Sequence, residues 1–183
     1  MIRKKQMLGR TLGLTLLGLC STPTYAIDAK TFINLANNTI HEANGGFIAN
    51  INQVIKTQDK MIKLGIEGSL AYIKEHPEHK KFLTLVIDNA DNMKRMTLDE
   101  IEAQWHEGKY LKEHGFDIHK MEHFGELFSL MDSILHPATA HICFTQYKKT
   151  KNADLLARAS AELIEVVEHV SHIEERKTQL TQN

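Results

Sequence analysis

The feature that most constrains this chain is an apolar stripe at three- and four-residue steps that recurs along nearly its whole length. From Asp28 onward, Phe32, Ala36, Ile40, Ala43, Phe47, Ile51, Val54 and Ile55 follow helical spacing. Phe82, Leu83, Val86, Ile87, Ala90 and Met93 make a second stripe. Leu127, Leu130, Met131 and Ile134 make a third, continued by Ala140, Cys143, Phe144 and Tyr147. Leu156, Leu163, Val167 and Val170 make a fourth. No stretch shows sustained period-two alternation bounded by turn residues, so strands are not expected.

The fold class read from this pattern is all-α. Four long helices are expected, at about 29–57, 79–96, 126–148 and 153–177. Their connections suit an antiparallel four-helix bundle. Residues 97–125 then form a helical or irregular excursion between the second and third long helices. The first stripe runs straight through Gly45-Gly46, and each glycine costs about 1 kcal/mol inside a helix, so a kink, a break or a close helix approach is expected there. Lys60–Gly68 has no clear pattern, and Ser69–Glu75 reads as a short helix ending before Pro77. Thr97-Leu98-Asp99-Glu100 is a capping box, with the Thr hydroxyl and the Glu carboxylate satisfying each other's backbone amides. The helix it opens carries Ile101 and Trp105 and stops at Gly108. Pro137 is expected to kink the third helix or to begin a new one. Asn152 caps the last helix.

The first 26 residues differ from the rest. Arg3, Lys4, Lys5 and Arg10 form a basic segment without an acid, Thr11–Cys20 is apolar, Pro23 breaks any helix, and Thr24-Tyr25-Ala26 offers small residues at −3 and −1. This is the layout of a cleavable Sec-type signal peptide. Ten apolar residues are half of what a membrane-spanning helix needs. The expected organisation is a signal peptide at 1–26 and one helical domain at 27–183, exported to the periplasm or secreted. Cleavage takes Cys20 and four of the 22 Lys and Arg, but none of the 23 Asp and Glu, leaving a net charge of −5 with His neutral. That balance argues against a nucleic-acid partner or an anionic membrane surface. Cys143 remains as the only thiol and reads as a buried small hydrophobe. All 11 histidines lie beyond residue 26, and their full protonation would take the net charge to +6.

Two constellations carry candidate chemistry. His119 and His123 are four apart, so on a helix their rings share one face and would ligate a transition metal or a haem. His136, Asp132, Glu126, Met131 or His41 would complete such a site. The second is Trp105-His106-Glu107-Gly108-Lys109-Tyr110, where Trp105, His106 and Tyr110 would line a small-molecule pocket or a partner contact. The plainer alternative is that Trp105 and Tyr110 staple the excursion onto the bundle. His76-Pro77-Glu78-His79 reads as a solvated turn, and His169 and His172 as a solvated helix face. Absences narrow the field further. There is no Cys-x-x-Cys-His for covalent haem, no Glu-x-x-His pair of the ferritin-like kind, and no His-Glu-x-x-His. Only His119/His123 matches the spacing that a hemerythrin-like site repeats. No phosphate-binding Gly-rich loop and no nucleophile elbow is present. Cys143 and His141 are two apart on a helix and point away from each other.

The resulting expectation is an exported helical-bundle protein that acts as a non-enzymatic module binding or sensing a small ligand. The alternatives are a metal or haem protein built on His119/His123 and a structural protein with a protein partner. An enzyme has the least support, because no nucleophile–base pair stands out.

Overall fold

A computed structural model describes residues 27–123 and 125–182. The signal peptide expected at residues 1–26 falls outside the described residues. The chain is all-α, and no strand occurs among the described residues. Seven α-helices follow in order: α1 Ala29–Asn44, α2 Ile51–Glu75, α3 Lys80–Met93, α4 Leu98–Ile101, α5 Lys109–Glu113, α6 Glu126–Thr150 and α7 Asp154–Gln182. Short 3-10 turns sit at Pro77–His79 and Ile118–Lys120, and α4 runs into a π turn at Glu102–His106. No described helix is long and apolar enough to cross a membrane.

The long helix expected at 29–57 is in fact two. α1 ends at Asn44, and Gly46 adopts φ +71°, which a glycine takes without strain. Asn50 then caps α2, its side-chain oxygen accepting from the Gln53 amide at 3.2 Å. α2 absorbs the unassigned stretch 60–68 and the short helix expected at 69–75. The capping box at Thr97 forms: the Glu100 amide donates to Thr97 Oγ1 at 3.2 Å and the Thr97 amide to Glu100 Oε2 at 2.8 Å. Asn152 accepts from the Asp154 amide at 3.1 Å and so opens α7.

α6 is the centre of the arrangement. It packs against α7, α2 and α3, while α1 lies along α7. Positions 129–140 of α6 are all buried, twelve in a row. Over these positions the helix has neighbours on every side, so its burial extends well beyond the apolar stripe. Pro137 sits inside α6 without ending it. Having no N–H, it leaves the Ser133 carbonyl outside the helical ladder. That carbonyl faces Gly65 of α2, where an added Cβ would come within 2.7 Å of it. The glycine is what lets α2 and α6 approach so closely at this point.

The excursion folds down over one end of the α6–α7 pair. Trp105 and Leu111 are both fully buried. Gly108 turns the chain at φ +73° and carries no Cβ because Ile118 Cδ1 lies 2.6 Å from where one would be.

Candidate metal centre

The buried stretch of α6 contains five polar side chains: Ser129, Asp132, Ser133, His136 and Thr139. A polar group buried without a partner is costly, so each requires an explanation. Ser133 Oγ donates to the Leu130 carbonyl at 2.7 Å, and Thr139 Oγ1 donates to the Leu135 carbonyl at 3.1 Å. Ser129 Oγ lies 3.4 Å from His169 Nδ1. Asp132 and His136, one helical turn apart, have a different environment.

His136 is 3 % exposed, and its Nδ1–H donates to Glu162 Oε2 of α7 at 2.8 Å. That bond orients the ring and turns Nε2 toward Asp132 Oδ1 at 3.9 Å and Glu165 Oε1 at 4.0 Å. His169, fully buried on α7, places Nε2 3.1 Å from Asp132 Oδ2. Asp132 is itself 2 % exposed, yet Oδ2 accepts no hydrogen bond despite this close neighbour. The two atoms approach one another without the alignment of a donor and an acceptor. Donor atoms sharing one ion behave this way, lying about 3.0–3.4 Å apart when each bond is about 2.1 Å long.

Asp132, His136 and His169 thus present one carboxylate and two imidazoles whose ligand atoms all lie within 4.8 Å of one another. His123, Glu165 and His169 form an adjoining group on the same terms, and the His123 and His169 rings meet edge to face with centroids 4.9 Å apart. His106, His136 and Glu162 form a third. Within that third group Nε2–H of His106 donates to Thr139 Oγ1 at 2.9 Å, which places His106 as a support beside Glu162. Arg158 braces Glu162 from its other side at 3.9 Å and reaches Glu102 of the π turn at 2.8 Å.

The electrostatics follow from burial. It pushes the Asp132 carboxyl up to about 7, against the pull of His136 and helped by Glu165 and Glu162. Burial also lowers the basicity of His169, to about 4, with the neighbouring imidazoles adding to the effect. At His136 burial acts in the same downward direction, but the Glu162 hydrogen bond and the Asp132 charge overcome it and leave its pKa raised. His169 is therefore a neutral imidazole at neutral pH, the form a metal ion binds.

The cluster opens on a cavity of about 330 Å³. Asp132, His136 and Glu165 form its floor, with Met131, Leu135 and Phe128 beside them. Trp105, His106, Ile118, His119, Met121 and His123 of the excursion form its roof. Trp105 and Tyr110 pack with ring centroids 5.0 Å apart, and the buried Trp105 Nε1 has no hydrogen-bond partner. Trp105 thus both anchors the excursion and walls the cavity. A π turn at a wall of this kind re-aims consecutive side chains, here Trp105 and His106, toward one place.

The structure separates the residues singled out from sequence. His136 and His123 fall in the ligand groups, with Asp132 beside them. His106 and Trp105 line the cavity, whereas Tyr110 only packs behind Trp105 and against His114, with centroids 4.3 Å apart. The shared helical face expected for His119 and His123 does not form. His119 lies in the 3-10 turn, α6 begins only at Glu126 after Gly125, and His119 remains at the cavity wall outside the ligand groups. The reading of His169 as solvated is overturned, because α7 packs against both α6 and α1 and so buries a wider arc than one stripe. Glu162, Glu165 and His169 were missed as members of these groups. A signal for Glu165 and His169 exists: Asp132/His136 and Glu165/His169 each place an acid four residues before a His, which sets both side chains on one helix face.

No family model, no curated protein and no solved structure matches this chain.

Proposed function

We propose that this protein holds a divalent transition-metal ion through Asp132, His136 and His169, and uses it to bind a small ligand in the adjoining cavity. The observation that carries this reading is the convergence of two buried imidazole Nε2 atoms on a buried carboxylate, each imidazole having its Nδ1 engaged on the far side. Contacts of that kind to the far ring nitrogen orient ligating histidines. Mixed imidazole and carboxylate donors suit zinc, iron, cobalt or manganese in the divalent state. Three protein donors leave coordination positions open on the cavity side, as binding or catalytic centres require.

The ligand implied is small, with an oxygen or nitrogen to meet the ion and an apolar body to lie against Ile118, Met121, Phe128 and Leu135. Export to the periplasm or exterior, read from residues 1–26, completes the proposal: an exported metal-dependent binding or sensing protein.

The test is equilibrium dialysis of the purified protein against zinc, followed by elemental analysis. The wild type retains zinc, and Asp132→Asn/His169→Gln, a variant of near-equal side-chain volume, loses it with an unchanged helical circular-dichroism spectrum. Wild-type protein that emerges without zinc refutes the reading.

A further inference from the structure

The centre just proposed need not stop at one ion. Resting on that metal-binding reading, the geometry points to a dinuclear site, in which Asp132 and Glu165 bridge two divalent ions. Five donors from two helices and one loop are arranged as two overlapping triads, Asp132/His136/His169 and His123/Glu165/His169, each with its ligand atoms within 4.8 Å of one another. Donors on a single ion lie at most about 4.2 Å apart for bonds of about 2.1 Å. A cluster that extends through a second triad offers positions beyond the reach of one ion.

The carboxylates indicate how the two positions are joined. Asp132 turns its oxygens to different histidines, with Oδ1 3.9 Å from His136 Nε2 and Oδ2 3.1 Å from His169 Nε2. Glu165 belongs to the second triad, yet its Oε1 reaches back to within 4.0 Å of His136 Nε2. One ion would take His136, Asp132 Oδ1 and Glu165. The other would take His169, Asp132 Oδ2, His123 and Glu165. Ions in carboxylate-bridged pairs sit about 3.5–4 Å apart. Oδ2 of Asp132, buried and accepting no hydrogen bond, is the independent sign that a position beside it is meant for a cation. Among the described residues neither Asp132 nor Glu165 forms an ion pair with a lysine or arginine. Glu162, which has Arg158 at 3.9 Å, does, and it is accordingly assigned outside the pair.

The experiment is metal stoichiometry and electron paramagnetic resonance on manganese(II)-loaded protein. A His76→Asn background removes the half-buried His76–Glu78–His79 group as a competing site. Two manganese per chain with an exchange-coupled multiline spectrum are expected. His123→Ala, at an exposed position where folding is not at risk, is expected to bind one ion with an isolated six-line spectrum. One ion per chain without the His123 substitution overturns the dinuclear assignment and leaves the metal-binding reading standing. No bound ion overturns both. Two ions with an uncoupled spectrum, or two coupled ions in His123→Ala, also overturn the assignment as drawn.

Discussion

Nδ1 of His136 lies 2.8 Å from Oε2 of Glu162, across the contact between the central helix α6 and its partner α7. This one hydrogen bond decides which imidazole nitrogen faces Asp132, and the proposed metal site depends on that orientation.

Replacing Glu162 by Gln keeps the shape and removes the charge. The amide oxygen still accepts from Nδ1–H, but more weakly than a carboxylate does. Zinc affinity, measured by competition with a chromophoric chelator, is expected to fall roughly 10- to 100-fold, the usual effect of losing such a supporting partner. Unchanged affinity would mean that His136 does not ligate through Nε2.

Trp105 is the single tryptophan of the chain and walls the cavity beside the cluster. Cobalt(II) bound at Asp132, His136 and His169 should therefore quench the intrinsic fluorescence at one saturable site. In Asp132→Asn the quenching should need at least about tenfold more cobalt, in line with the loss of a charged ligand. Equal titrations for the two proteins would place the ion away from the cavity.

The all-α class and the positions of α3, α6 and α7 were legible because apolar spacing alone marks them. The α1–α2 break was half legible. Gly45-Gly46 flagged it, but the stripe running through both glycines concealed that two helices share one periodicity. The site was harder to read for a physical reason. α6 is buried all round, so Asp132 and His136 do not stand out against a polar face. His169 looked solvated because helical spacing shows where a stripe lies but not how many neighbours a helix has. His123 reaches the cluster from a loop, where no sequence periodicity applies.

Gly65→Ala should destabilise the fold. The new Cβ would meet the Ser133 carbonyl at 2.7 Å and Ser133 Oγ at 2.6 Å, and a carbonyl inside a packed helix has little room to move. The expected loss is about 2 kcal/mol by overpacking, seen as a fall in Tm of roughly 6 °C. A Tm at or above that of the wild type would show that α2 and α6 can separate without cost.

Cys143 is fully buried, and burial pushes its thiol up to about 12. A raised pKa keeps the group as the unreactive thiol until well above neutrality. Native protein should therefore react with a thiol reagent far more slowly than the unfolded chain at every pH from 7 to 9. The same protein in denaturant should react fast, and over those two units its rate should rise roughly 25-fold, as for an ordinary thiol of pKa about 8.5. A native rate as fast as the denatured one would contradict the burial.

The most direct measurement is an anomalous difference map at the zinc edge, from crystals of the protein grown with zinc. The account predicts density within about 2.0–2.2 Å of Asp132 and of Nε2 of both His136 and His169. A map whose only peak lies at the His76–Glu78–His79 turn, with none among these three side chains, would contradict it.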